Sequence, residues 1–316
     1  MLQLELWSES RQSDAGPVER LDSARAHVSR AHSTWTAYQT DWRVFERWCS
    51  EQGVSPLPAS SETLARYLGH LADTGRKAST IRRARISICV IHSEHGFGRP
   101  DADEQVRVLE RKIARSDSAA EQGAPPLLLP DLERMMHALG NTRRDERDRA
   151  LLLLGFAGAF RSCELVALDP HQLMRTGYGL RVQVPLGGRE QHVEIRRSRN
   201  ALLCAVTAVE RWLNRLCSVD GAVFRTVCGE RVTSERLAPR AVSRAVQRAA
   251  ARAQLSTEYS SSSLRSGLAA SARAQGRSVR DIQVHGRWKD SRSVQRYVQA
   301  AAVGGRRGYR SLADNC

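Results

Sequence analysis

Three segments in the second half of the chain gather residue types that can do chemistry. The first is Gly155-Phe-Ala-Gly-Ala-Phe-Arg161-Ser-Cys-Glu164, where an arginine and a glutamate stand three residues apart after an apolar run. The second is Ser261-Ser262-Ser263-Leu264-Arg265. The third runs from Val284-His285-Gly286-Arg287-Trp288-Lys289-Asp290 to Arg296-Tyr297 and sets an indole and a phenol nine residues apart. Guanidinium forks match phosphate oxygens two at a time. Lysine and arginine total 49 against 34 aspartates and glutamates, and the only lysines are Lys77, Lys112 and Lys289. A net charge of +15 points to a polyanion, because a protein that neutralises phosphates gains affinity from the counterions it releases; a ribosome- or membrane-surface protein would carry the same charge.

Taken one at a time, each segment also has a purely structural reading. Arg161 and Glu164 have the spacing of a helix ion pair, which is usually worth little. Ser261 to Ser263 read as a helix N-cap. Trp288 and Tyr297 suit a core, with Val294 and Val298 on the same helix face as the phenol.

The elements that must position these residues follow from periodicity. Residues 1–25 read as a flexible polar arm. In residues 26–115, Trp35, Tyr38, Trp42, Phe45 and Trp48 recur at helical spacing, and further helices are expected over 63–71, 79–95 and 103–113. The third of these helices is basic, with Arg82, Arg83 and Arg85. Residues 116–126, rich in Ser, Ala and Pro, read as a linker. Residues 127–316 open with helices over 130–139 and 145–156. The runs 180–184 and 192–195 alternate like strands around Gly187-Gly188 and predict a β-hairpin. Helices are expected over 201–217, 240–253, 264–275, 278–285 and 291–301. The expected fold is mainly α: an N-terminal helical domain plus an α-rich second domain with a small antiparallel sheet.

Several classes fall away. No apolar run is long enough to cross a bilayer, and the first residues lack the basic and apolar regions of a signal peptide. The expected location is cytoplasmic, associated with the nucleoid. The seven cysteines show no CxxC spacing, so there is no zinc-site pattern.

Together, the order and spacing of these residues closely resemble the tyrosine recombinase (phage integrase) family. The likeness spans about Ser33 to Ala301. Arg161 falls on the family's first catalytic arginine, in an apolar-turn-R-x-x-E-L context, and Glu164 on the acidic residue beside it. Arg265 falls on the arginine of the H-x-x-R box, written here Ser262-Ser-Leu-Arg265. Trp288 fills the position the family gives to His or Trp, and Tyr297 that of its nucleophile. The first helices resemble the family's SAM-like core-binding domain, which makes Lys77, Arg82, Arg83 and Arg85 candidate contacts to the DNA backbone.

The resemblance implies a site-specific recombinase or integrase that cleaves and rejoins duplex DNA through a 3′-phosphotyrosine. Arg161 and Arg265 would hold the scissile phosphate and favour the phenolate of Tyr297. Trp288 would donate to phosphate or pack the nucleophile's helix, and Glu164 would orient its neighbours. The tyrosyl ester keeps the bond energy, so neither metal nor other cofactor is required. The implied partners are double-stranded DNA, enclosed by the two domains, and further copies of the chain: a dimer per site and a tetramer on paired sites. No membrane partner is implied.

Two positions depart from the family. Ser262 replaces the histidine of H-x-x-R and cannot act as a base near neutral pH. The hairpin lysine, the family's general acid, has no counterpart between Leu180 and Ile195. Arg189 is a poor proton donor; His192, His285 and Lys289 are the remaining candidates. These gaps keep open a second reading, a DNA-binding regulator or accessory subunit that no longer cleaves. A third, a type IB topoisomerase relative, shares the chemistry.

Overall fold

The computed structural model describes residues 32–117, 123–186, 189–216 and 220–304. The chain divides into two compact units, residues 1–121 and 122–316. The expected arm lies outside the described residues, as do part of the linker and the hairpin tip at Gly187-Gly188.

The first unit contains four described helices: α1 (His32–Gln52), α2 (Ser61–Asp73), α3 (Ala78–Glu94) and α4 (Glu104–Asp117). The aromatic stripe of α1 is its buried face. Trp42 and Phe45 are fully enclosed, and they pack with Leu64, Tyr67 and Leu68 of α2. Ser60 caps α2 by accepting from the Thr63 backbone N–H at 3.1 Å. The polar tie between α1 and α3 is Asp41. It accepts from Arg83 Nε at 2.8 Å and Nη2 at 3.0 Å, and from the Ser87 hydroxyl at 3.0 Å. His92 is completely buried on α3. Its Nε2 accepts from the Ala59 N–H at 2.9 Å, which leaves Nδ1 as the donor to the Ile88 carbonyl at 2.8 Å.

The second unit begins with α5 (Leu129–Ala138), α6 (Arg143–Ala157) and the short α7 (Ser162–Ala167). A sheet follows: β1 (Leu173–Thr176), β2 (Gly179–Leu186) and β3 (Arg189–Arg196). Then come α8 (Ala205–Leu213), the hairpin β4 (Arg225–Cys228) and β5 (Arg231–Arg236), and α9 (Pro239–Arg252). The unit closes with α10 (Ser261–Ala274), α11 (Val279–Gly286) and α12 (Ser291–Gly304). Helix α6 is the core element. Ala150 to Leu154 are buried all round, and α6 packs against α8 on one side and α10 on another. Among the described residues, no helix is long and apolar enough to cross a membrane.

The fold is mainly helical with a small antiparallel sheet, as the patterning predicts. The predicted hairpin is present, with Leu180 opposite Ile195 and Val182 opposite Val193, all four buried. It is part of a three-stranded sheet in the order β1-β2-β3. Strand β1 went unread because Leu-Met-Arg-Thr does not alternate in polarity and its middle residues are exposed. The β4/β5 hairpin went unread because β5 is exposed along most of its length and gives no alternating signal.

Two helix starts differ from expectation by three residues or more. Helix α8 begins at Ala205, after a separate 3₁₀ turn over Ala201–Leu203, because Asn200 caps the turn and the Cys204 sulfur caps the helix. Helix α10 begins three residues before the expected Leu264. Its N-cap is Ser260, whose backbone N–H donates to the Ser263 hydroxyl at 3.0 Å. Ser261 to Ser263 therefore form the first turn and not the cap.

Candidate functional site

The site is built around the turn that ends α6. Ala159 adopts a left-handed conformation, φ 48°, unusual for a residue with a Cβ. This turn points the Ala159 carbonyl toward α10 and delivers Arg161 as the N-cap of α7. Glu164, three residues on, closes a box: it accepts from the Arg161 backbone N–H at 2.8 Å and from Arg161 Nη1 at 2.6 Å. The two side chains differ in exposure, 39% for Arg161 and 6% for Glu164. The carboxylate is thus structural and the guanidinium reaches solvent. Burial alone would raise the Glu164 pKa. The Arg161 N–H and the guanidiniums of Arg287 and Arg161 outweigh it and hold the group below the usual carboxylate range.

Arg265 occupies the second turn of α10 and is almost wholly buried. Its Nη1 donates to the Ala159 carbonyl, and its Nη2 donates to the Gly286 carbonyl at 3.0 Å. The guanidinium carbon lies 4.8 Å from the centre of the Trp288 ring. Burial pushes the pKa of Arg265 down to about 10; the Arg161 cation adds to that, and Glu164 opposes it.

Helix α11 ends at Gly286 because Arg287 turns left-handed, φ 57°. Trp288 folds back, its N–H bonded to the Gln283 carbonyl at 3.1 Å. A Cβ on Gly286 would sit 1.8 Å from the indole, so only glycine permits this packing. The Trp288 and Tyr297 rings are 5.9 Å apart and tilted by 54°. Tyr297 is half-buried on α12, in a small cluster with Ala159, Ala269, Ile282, Trp288 and Val294. Trp288 therefore bridges a buried guanidinium and a phenol.

Arg161 and Glu164 at the start of α7, Arg265 on α10, Trp288 in the turn between α11 and α12, and Tyr297 on α12 come together. Ser262 is exposed, and its hydroxyl bonds to that of Ser260 at 2.8 Å rather than to any of these five. His192 is exposed on β3, opposite Gln183, and Lys289 is also exposed. His285 Nε2 lies 2.7 Å from the Ala157 carbonyl. Sequence reasoning missed Arg287, whose side chain is 5% exposed and pairs with Glu164 at 2.9 Å. The available signal was an arginine where a helix end calls for a left-handed residue. Among the described residues, no group of three or more His, Cys, Asp or Glu side chains could hold a metal ion.

In the first unit, Lys77 and Arg82 are exposed. Arg83 is committed to Asp41 and is half-exposed. Arg85 is turned inward: it pairs with Asp101 and with Glu110, at 2.9 Å to the latter, and its side chain is 18% exposed. The even basic face expected over 82–85 is divided between surface cations and internal ion pairs.

Residues 127–303, more than half of the chain, match the model of the phage integrase family, and residues 21–93 match that family's N-terminal SAM-like domain. The chain belongs to the phage integrase family. It is similar to an integrase/recombinase xerD homolog of Selenomonas ruminantium, 36% identical over 213 residues that cover 64% of this chain and 62% of that protein. It is also similar to recombinase cre of Escherichia phage P1, 25% identical over 64% of this chain and 60% of the relative. The matches thus span about three-fifths of these curated relatives. The fold is shared with XerH recombinase bound to difH substrate in a pre-cleavage complex, TM-score 0.66, 13% identity, covering 93% of this chain and 85% of that one. It is shared too with a lambda integrase tetramer bound to a Holliday junction, TM-score 0.61, 16% identity, covering 95% and 79%.

Proposed function

We propose that the chain is a site-specific DNA recombinase that cleaves and rejoins duplex DNA through a 3′-phosphotyrosine at Tyr297. One observation carries this reading: the Trp288 ring lies 4.8 Å from the buried Arg265 guanidinium and 5.9 Å from the Tyr297 ring. A nucleophile and a phosphate-binding cation are thereby held together, with a second cation, Arg161, close enough to depress the Arg265 pKa.

In the proposed step the Tyr297 oxygen attacks the scissile phosphorus. The oxygen–phosphorus bond to tyrosine forms as the bond to the 5′ oxygen breaks; the phenol loses its proton and the 5′ oxygen takes one up. Arg161 and Arg265 bind the non-bridging oxygens, where charge accumulates in the transition state. The two carbonyls that fix Arg265 use one N–H on each terminal nitrogen and leave the others for phosphate. Trp288 stacks under Arg265 and sets the height of Tyr297. Glu164 orients Arg161. Rejoining reverses the step with a new 5′ hydroxyl and needs no outside energy. Lys77 and Arg82 are proposed to contact the DNA backbone. Further copies of the chain are proposed to assemble as a dimer per site and a tetramer on paired sites; lambda integrase binds a COC′ core site as a dimer and a Holliday junction as a tetramer.

The test is covalent trapping. Nicked duplexes selected by the protein from a randomised pool are incubated with it and run on a denaturing gel. A protein–DNA band that is absent from Tyr297→Phe is expected. Tight binding with no band would favour a regulator that no longer cleaves, and supercoil relaxation without site preference would favour topoisomerase-like action.

A further inference from the structure

We infer that Arg287 is a positioning residue: by holding one oxygen of Glu164 it keeps Arg161 from being fully paired and leaves that guanidinium available to a phosphate. The inference rests on the recombinase reading above and deepens it.

Glu164 has two oxygens and three claims on them. Oε1 takes Arg161 Nη1 at 2.6 Å. Oε2 takes the Arg161 backbone N–H at 2.8 Å and Arg287 Nη2 at 2.9 Å. Arginine and carboxylate pair best as two parallel bonds, fork to fork. Arg287 blocks that geometry by occupying the second oxygen. Arg161 is left with a single side-chain bond to Glu164, a side chain 39% exposed, and spare N–H groups. Without Arg287, Oε2 would be held by the Arg161 backbone N–H alone, and the carboxylate could turn to pair with Arg161 through both oxygens and neutralise it.

The placement of Arg287 is costly, which marks it as more than filler. It holds a left-handed backbone that an L side chain adopts only under strain. Its guanidinium is buried against the Phe160 ring at 4.9 Å, and its Nε is buried without a partner. Burial lowers its pKa, and the Glu164 carboxylate opposes that. Three described non-glycine residues have positive φ: Ala159, Gln254 and Arg287. Two of the three meet here. Arg287 Nη2 lies 3.4 Å from the Ala159 carbonyl, the same carbonyl that Arg265 uses, and its Nη1 donates to the Gly158 carbonyl at 3.1 Å. Arg287 thus lies against the turn that carries Arg161 and the anchor of Arg265, a turn closed by its own backbone bonds from Gly158, Ala159 and Phe160.

The test compares wild type, Arg287→Gly, Glu164→Gln and the double variant on the selected nicked duplexes, with melting midpoint, site affinity and rate of covalent adduct formation measured for each. Glycine accepts the left-handed backbone, so Arg287→Gly is expected to fold and to bind within about threefold of wild type. Its adduct rate is expected to fall at least about tenfold. In the Glu164→Gln background the same change is expected to cost less than about threefold, because the charged competitor is gone. Arg287→Lys is expected to restore part of the rate. A wild-type rate in Arg287→Gly would overturn this role and leave the recombinase reading intact. Equal cost in both backgrounds, with binding and melting falling in parallel, would overturn it in favour of a packing role. No adduct from wild type would overturn both.

Discussion

The Arg265 guanidinium lies 4.8 Å from the centre of the Trp288 ring, and that ring lies 5.9 Å from Tyr297. A cation over an indole is worth about 2 kcal/mol when desolvated. The same ring sets the distance from cation to phenol. Trp288→Ala is therefore expected to slow adduct formation by about 30-fold or more, that energy expressed as a rate. Trp288→Phe keeps a ring face and is expected to lose only about threefold. Adduct kinetics for the two variants decide it; equal losses would show that packing against Arg265 and Tyr297 is not what the indole supplies.

Helix α10 carries Arg265 at a depth fixed by Gly267. A Cβ there would stand 1.9 Å from the Leu127 carbonyl oxygen and 2.7 Å from its carbon, and backbone cannot rotate away. The close approach is held by the Leu127 N–H bond to the Ser263 carbonyl at 2.9 Å. Gly267→Ala is expected to cost about 3 kcal/mol and to lower the melting midpoint by about 6–12 °C. Calorimetry checks this, and an unchanged midpoint would mean the helix can shift outward at no cost.

His92 is expected to make the first unit sensitive to acid. Burial lowers its pKa from the ordinary value near 6.5, and its Nε2 must stay unprotonated to accept from Ala59. As pH falls below about 6.5 the unfolded chain takes up a proton that the folded chain refuses. The stability supplied by neutral His92 is thus present above about 6.5 and is lost as pH falls toward the folded value. The loss has a slope of up to about 1.4 kcal/mol per pH unit. The urea midpoint, followed by fluorescence of Trp35, Trp42 and Trp48, should fall between pH 7.5 and 5.5. In His92→Gln it should start lower and change less across that range. A parallel fall in the variant would assign the effect to other groups.

The basic residues of α3 should separate into two kinds. Lys77→Ala and Arg82→Ala are each expected to weaken DNA binding and to reduce the salt slope by about 0.9. Arg85→Ala is expected to leave the slope nearly unchanged and to lower stability, because Asp101 and Glu110 lose a half-buried partner. Affinity titrations over a range of salt concentrations, with melts, distinguish the two. A full slope change for Arg85→Ala would mean that it leaves its carboxylates on the DNA.

The residues legible in sequence were those whose signal is local and periodic. The aromatic stripe of α1, the Leu-rich stretch of α6 and the alternation of β2 and β3 each declare a buried face. The order and spacing of Arg161, Arg265, Trp288 and Tyr297 marked them as candidates, and the fold brings them together. What escaped depends on contacts distant in sequence. Arg287 gave no local sign of reaching Glu164, 123 residues earlier. Arg85 reads as surface charge until Asp101 and Glu110 are seen beside it. Ser260 was passed over because three further serines compete for the same cap.

Cleavage through a 3′-phosphotyrosine requires the phenol at position 297. The adduct formed with a nicked duplex can be digested with nuclease and trypsin, and the nucleotide remnant located by mass spectrometry. The expected result is a remnant on the Tyr297 oxygen in the peptide that begins at that residue, and none from Tyr297→Phe. A remnant on any other side chain, or an adduct that persists in Tyr297→Phe, would contradict it.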